Sequence, residues 1–238
     1  MSKVFVIPDI HLKPWMFDEA EEITGKNEFD KIVMLGDLAD DWNCSNNLDL
    51  YKETYDAAVE FARRHPNTLL CYGNHDLSYI WDAMESGYSW YVRETAADGI
   101  RRLRDELTVE KCAYIHMIDG VIFSHGGLTK SFVRRYFDMA DDVSEYDLIH
   151  IIKQINSMGE KEMWEDDTPI WARPQRGVLE LFPKGYMQVV GHTPVDAPLE
   201  EGNLLTLDNF STYPDGTPKG NEKFVWIDTT DHTWHEFD

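Results

Sequence analysis

Cysteine is scarce in this chain. The three present, Cys44, Cys71 and Cys112, are odd in number and form no close pair. That excludes a disulfide framework and a Cys-x-x-Cys zinc knuckle, and it fits a reduced compartment. Cys71 lies inside an apolar run and reads as a small core residue. Long hydrophobic runs are also missing: nothing approaches the ~18 apolar residues of a membrane span. The first apolar run starts at Val4 and has no signal-peptide layout around it. A soluble, cytoplasmic protein is expected. Basic residues are few, 22 Lys and Arg against 44 Asp and Glu, for a net charge of -22. So acidic a surface repels a phosphate backbone, which disfavours long nucleic acid as a partner. The densest basic stretch, Arg101-Arg102-Leu103-Arg104, is flanked by acids and reads as a solvated helix face. Repeats of solenoid period are absent.

What is present is one short arrangement, repeated. Val4 to Ile7 is apolar, followed by Pro8, Asp9 and His11. Ile32 to Leu35 is apolar, followed by Gly36 and Asp37. Thr68 to Tyr72 leads into Gly73-Asn74-His75-Asp76. Val121 to Phe123 leads into Ser124 and His125, and Val189-Val190 into Gly191 and His192. Each apolar run reads as a buried strand. Each is followed, after one spacer, by a side chain able to bind metal. If the strands lie side by side in one sheet, these groups gather at its edge, where open α/β sheets bind ligands.

Helical spacing is predicted over Trp15–Ile23 and Tyr51–Arg64, the latter stopped by His65-Pro66-Asn67. Leu77–Leu107 is rich in aromatics and predicts short helices over the sheet edge. Lys111–Met117 and Val121–Phe123 read as strands joined by an Asp119-Gly120 hairpin. Thr129–Met158 reads as helical, and Glu160–Pro183 as irregular. Later strands are expected at Met187–Val190, Leu204–Leu207, Phe224–Ile227 and Thr233–Phe237. At 238 residues and 42% hydrophobic, the chain can bury one substantial core. The expectation is a layered α/β protein. It forms a single domain, 1–238, with helical excursions near 77–107 and 129–183 that shape a cleft.

Asp9, His11, Asp37, Asn74, His125 and His192 offer carboxylate and amide oxygens and imidazoles, without sulfur. That mixture suits Mn²⁺, Fe or Zn²⁺ better than an all-oxygen Ca²⁺ cage. Six ligands exceed the needs of one catalytic ion. Two ions about 3.5–4 Å apart, bridged by Asp37, would use them, and would bring a bridging water to a pKa near ~7. His75 is free to protonate a leaving alkoxide, with Asp40 orienting its ring. The remaining histidines carry no such pattern. His65 suits a helix end, and His116 and His150 read as packing or surface residues. His232 and His235, if in one strand, point to opposite faces.

The set Asp9-x-His11, Gly36-Asp37-x-x-Asp40, Gly73-Asn74-His75-Asp76, His125-Gly126-Gly127 and Gly191-His192 resembles the calcineurin-like metallophosphoesterases. It is most similar to the bacterial and phage phosphoprotein phosphatases and diadenosine-tetraphosphatase-like enzymes. The resemblance implies a four-layer α/β/β/α sandwich with a dinuclear site at the strand carboxyl ends. It implies that Asp9, His11 and Asp37 hold one metal and Asp37, Asn74, His125 and His192 the other. His75 with Asp40 is then the proton-donating pair. Arg173, in Trp171-Ala172-Arg173, resembles a Trp-x-Arg that clamps phosphate; as a bare residue it reads equally well as a surface arginine by a proline turn. Three positions depart from the pattern: Leu12 replaces a glycine, Asp41 an arginine that contacts phosphate, and Pro194 a second ligand histidine. The implied activity is hydrolysis of phosphoprotein (serine/threonine) monoesters by a metal-bridging hydroxide. Cleavage of dinucleoside polyphosphates or of cyclic or small nucleotides stays open beside it, as does a metal-bound scaffold without turnover.

Overall fold

The computed structural model describes residues 1–138 and 143–237. The first part of the chain runs β1 (Lys3–Ile7), α1 (Trp15–Thr24), β2 (Lys31–Met34), α2 (Leu48–Arg64), β3 (Thr68–Cys71), α3 (Asn74–Trp81) and α4 (Arg93–Leu107). It continues through β4 (Cys112–Ala113), β5 (Ile115–Ile118), β6 (Val121–Ser124), α5 (Lys130–Tyr136), α6 (Glu145–Ile155) and α7 (Glu160–Met163). The strands β7 (Gln188–Val190), β8 (Leu199–Glu201), β9 (Leu204–Thr206), β10 (Val225–Asp228) and β11 (Thr233–Glu236) follow. Of the helix predicted over 129–158, positions 139–142 lie outside the described residues.

The strands do not share one sheet, as the repeated arrangement alone had suggested. They form a six-stranded sheet of order β11-β10-β1-β2-β3-β4 and a five-stranded one of order β5-β6-β7-β9-β8. The period of two along each strand explains how the sheets stack. In β1, Phe5 and Ile7 face the helices and pack with Met16, Tyr55 and Leu103. Val4 and Val6 point the other way, into a second apolar cluster with Phe123, Val189 and Leu205 of the other sheet. The central strands are thus buried on both faces, which is why they read as unbroken apolar runs. Helices α1, α2 and α4 cover the first sheet. Phe132, Leu148 and Ile152 from α5 and α6 join Ile115 and Ile122 on the outer side of the second. The result is a four-layer α/β/β/α sandwich.

Several predicted elements shift. The strand predicted over Lys111–Met117 is two strands in different sheets: β4 pairs with β3 and β5 with β6. The chain crosses between sheets at Tyr114. There the Asn156 side chain accepts the Tyr114 and Ile115 N–H groups at 3.1 and 3.0 Å and donates to the Ile115 carbonyl at 2.9 Å. A distant amide therefore satisfies the backbone where the ladder breaks. Helix α2 starts three residues before Tyr51, because the Asn47 side chain caps it by accepting the Leu50 N–H. Helix α4 is long and packs on α2, where Gly99 lets the Tyr55 ring come close. Strand β8 was not anticipated; its three residues, Leu199–Glu201, are all exposed, so no burial pattern marks them.

Strands β1, β2 and β3 run parallel in one sheet, and β6, β7 and β9 run parallel in the other. Their carboxyl ends meet along one rim of the sandwich.

Candidate metal centre

Each parallel strand contributes from the turn after it. Asp9 and His11 follow β1, Asp37 and Asp40 follow β2, and Asn74 and His75 open α3 after β3. His125 follows β6, His192 follows β7, and Asp208 follows β9. Five of the turn residues, His11, Leu12, Asp37, Asp40 and His192, have φ between 42° and 63°. Side chains other than glycine rarely adopt such backbone, and strain of this kind concentrates where function requires it. Leu12 has φ 57°, so the glycine of the resembling family would sit there without strain. Here the leucine is buried in the core instead.

Three histidines commit one ring nitrogen to a backbone carbonyl. His125 Nδ1 donates to Leu35 O at 2.9 Å, His192 Nε2 to Trp171 O at 3.1 Å, and His11 Nδ1 to Asp40 O at 2.7 Å. Those bonds set the tautomer and leave the other nitrogen with a lone pair turned inward. His125 Nε2 lies 3.1 Å from His192 Nδ1, 3.1 Å from Asn74 Oδ1 and 3.1 Å from Asp37 Oδ2. The same Asp37 oxygen lies 3.7 Å from His11 Nε2, so it stands between the two groups of donors. Asp9 uses Oδ2 to accept the His192 N–H at 2.9 Å, while its buried Oδ1 has no hydrogen-bond partner.

The electrostatics agree with a cation-binding cluster. Burial raises the Asp9 carboxyl well above its ordinary range, and nearby Asp208 adds to it. Asp208 is raised by burial in the same way. Burial opposes charge on Asp37 too, but the imidazoles of His125, His75 and His11 outweigh it and hold that carboxyl below its ordinary value. Against the cost of burial, Asp37 and Asp9 push His125 up to about 9. His192 is driven well below its usual value by burial and by its neighbour His125. Buried carboxylates around inward-facing lone pairs need positive charge, and the oxygen and nitrogen donor set fits divalent cations.

Asp40 and His75 lie beside this cluster. His75 Nδ1 donates to Asp40 Oδ2 at 2.8 Å. The other oxygen of Asp40 accepts the phenols of Tyr51 and Tyr79. Burial opposes charge on His75, yet Asp37 and the hydrogen bonds to Asp40 and Glu85 raise the imidazole well above its ordinary range. Arg173 is not a free surface residue. Its Nη1 donates to the His192 carbonyl and to Thr193 Oγ1. Asp41 is neutralised locally: Lys13, itself buried, meets it at 3.1 Å, and Thr212 donates to it at 2.7 Å.

The remaining histidines lie elsewhere. His65 caps α2 and meets Glu21 at 3.1 Å. His116 donates to Leu70 O, His150 packs edge-on against Tyr146, and His235 stacks on Trp226. His232 sits in the turn before β11 rather than in a strand with His235.

Sequence reasoning missed Asp208, Glu85, Tyr51 and Tyr79. Asp208 had a weaker signal: the mostly apolar Leu204 to Leu207 runs straight into an acid, close to the arrangement of the other strands but without its spacer. The tyrosines had none, since a buried phenol on an acid is indistinguishable in sequence from core packing.

The sequence model of the calcineurin-like phosphoesterases matches residues 2–215. The chain belongs to that family and is a phosphoester hydrolase. The family is one that binds two divalent metals. A protein serine/threonine phosphatase from Saccharomyces cerevisiae with similarity to human phosphatase PP5 superposes with a TM-score of 0.56 at 14% identity. The match covers 99% of this chain and 79% of that one. A cold-active protein tyrosine phosphatase superposes with a TM-score of 0.52 at 15% identity, over 99% and 78% of the two chains. At such identities the likeness concerns the fold. No curated protein matches the chain. Among the described residues, no helix is long and apolar enough to cross a membrane.

Proposed function

We propose that this single-domain protein is a cytoplasmic, Mn²⁺-dependent phosphomonoesterase of the phosphoprotein (serine/threonine) phosphatase kind. In this reading Asp9, His11 and Asp37 hold one ion, and Asp37, Asn74, His125 and His192 hold the other. Bound there, the ions supply activated water and charge for the phosphoryl oxygens. The observation that carries the reading is the paired orientation of His125 and His192. Two buried imidazoles turn lone pairs toward each other 3.1 Å apart, with Asn74 and Asp37 oxygens beside them. A divalent cation among them would satisfy these four atoms at once.

The other roles belong to residues that need no metal. His75 protonates the departing oxygen through Nε2, and Asp40 holds the ring by Nδ1. Arg173 is the guanidinium for the non-reacting phosphate oxygens, in the geometry its paired donors favour. Segments 77–107 and, among the described residues, 129–138 and 143–183 shape the cleft. The three free cysteines suit a reducing cytoplasm.

One observation favours a second substrate class. Asp41 stands in place of a phosphate-binding arginine and is tied to Lys13 and Thr212. With one cation fewer for a dianion, a dinucleoside polyphosphate or a cyclic nucleotide is the alternative. A panel of phosphopeptide, diadenosine tetraphosphate, 2′,3′-cyclic nucleotide and p-nitrophenyl phosphate, assayed with Mn²⁺, decides among them. Activity on phosphopeptide that is lost with chelator and in Asp37→Asn is expected. Preference for the polyphosphate would replace the substrate class. Manganese binding without turnover of any ester would leave only a scaffold.

A further inference from the structure

Nothing in the sequence singles out Glu85, which lies between α3 and α4. Its side chain is only 5% exposed, and its Oε1 lies 3.0 Å from His75 Nδ1, the same nitrogen that meets Asp40 Oδ2 at 2.8 Å. The carboxylate is itself held, because Oε1 also accepts the Gly87 N–H at 2.9 Å. The turn lies directly against the imidazole. A Cβ on Gly87 would come within 2.7 Å of His75 Cε1 and 2.9 Å of Asp40 Cβ. The segment beyond is anchored by Tyr88 stacking on Tyr79 at 4.8 Å, and by the Ser89 N–H donating to the Tyr79 phenol at 3.1 Å. That phenol in turn donates to Asp40 at 2.6 Å.

We propose that Glu85 is a second positioning residue for His75, sharing the Nδ1–H with Asp40. The inference rests on His75 being the proton donor. A ring tethered through Nδ1 to one acceptor can still pivot about that bond. Two acceptors from separate segments, the β2 turn and the 85–88 turn, fix its plane and so fix where Nε2 points. A misplacement of ~1 Å in such a group costs on the order of 10²-fold in rate. Asp40 cannot do this alone. Its Oδ1 is occupied by two phenols, so only Oδ2 reaches the ring.

The test uses full-length protein and two readouts. In ¹⁵N-histidine-labelled protein, the His75 Nδ1–H signal is identified by its loss in His75→Ala. Glu85→Ala is expected to shift that signal and to quicken its exchange with water about tenfold, with Glu85→Gln intermediate because its amide oxygen still accepts. An unchanged signal overturns the proposal. In the second readout, Glu85→Gln should lose about tenfold on an alkyl phosphate and under about threefold on p-nitrophenyl phosphate, whose leaving group needs little protonation. Equal loss on both esters would mark a merely structural role. A fall in the number of Mn²⁺ ions bound by Glu85→Gln would also overturn the proposal, since Asp40, His75 and Glu85 would then be holding a cation. Wild-type protein that cleaves neither ester would overturn the phosphoesterase reading, while the exchange measurement still decides on Glu85.

Discussion

Asp76 Oδ2 accepts the backbone N–H of Asp37 at 2.9 Å, across 39 positions of sequence. Asp76 also accepts the Leu38 N–H at 2.9 Å and the Gly73 N–H at 3.0 Å. One buried carboxylate therefore locks the turn after β2 to the turn after β3. Burial and the nearby Asp37 push Asp76 up to about 7 against the Leu38 and Gly73 N–H donors. Asp76→Ala leaves three buried N–H groups without partners, at roughly 1–3 kcal/mol each. A loss of at least ~3 kcal/mol is expected, or about 6–12 °C in Tm for a chain of this size. Thermal and urea unfolding check it. A Tm within a degree of wild type would show that the turns hold without this carboxylate.

Gly191 and Asp9 are in closer contact than any side chain would permit. A Cβ at Gly191 would lie 1.9 Å from Asp9 Oδ1. Gly73 stands in the same relation to Asp37, 2.0 Å from Oδ1. Gly191→Ala must move the Asp9 carboxylate, and Gly73→Ala that of Asp37. Each is expected to weaken Mn²⁺ binding by ~10–100-fold, the usual cost of disturbing a ligand's support. Calorimetric titration with Mn²⁺ measures it, and unchanged affinity in Gly191→Ala would remove Asp9 from the ligand set.

Arg173 touches the carbonyl and neighbour of His192, so its loss can act on substrate or on the ligand. Arg173→Ala is expected to raise KM for monoesters about tenfold with a smaller change in kcat, and Arg173→Lys to restore little of it, because an ammonium lacks the paired donors. Steady-state kinetics on p-nitrophenyl phosphate supply the comparison. A fall in kcat with KM unchanged would assign Arg173 to supporting His192.

His116 gives a pH dependence remote from the rim. Burial depresses its imidazole below the ordinary value, only partly offset by the hydrogen bond to Leu70 O. The folded state thus prefers the neutral ring, while the unfolded chain takes up a proton near 6.5. Above that pH the contribution is fully present; it is lost as pH falls toward the folded value. The stability difference between wild type and His116→Gln, from urea unfolding, should shrink between pH 7.5 and pH 5.5. A difference that grows on acidification would contradict the burial argument.

The central strands and the polar residues after them are legible in the amino-acid pattern alone. Apolar runs buried on both faces cannot be mistaken, and Asp9, Asp37, Asn74, His125 and His192 each stand a fixed step beyond one. What sequence could not express was which sheet each strand joins. The break at Tyr114 depends on an amide 42 positions away, and no local pattern encodes such a partner. The environment of His75 is of the same kind. Asp40 belongs to a readable turn, but Tyr51, Tyr79 and Glu85 come from a helix face, a second helix and an irregular segment. Only packing decides that they meet, because hydrogen bonds between distant side chains follow from where the layers bring the backbone.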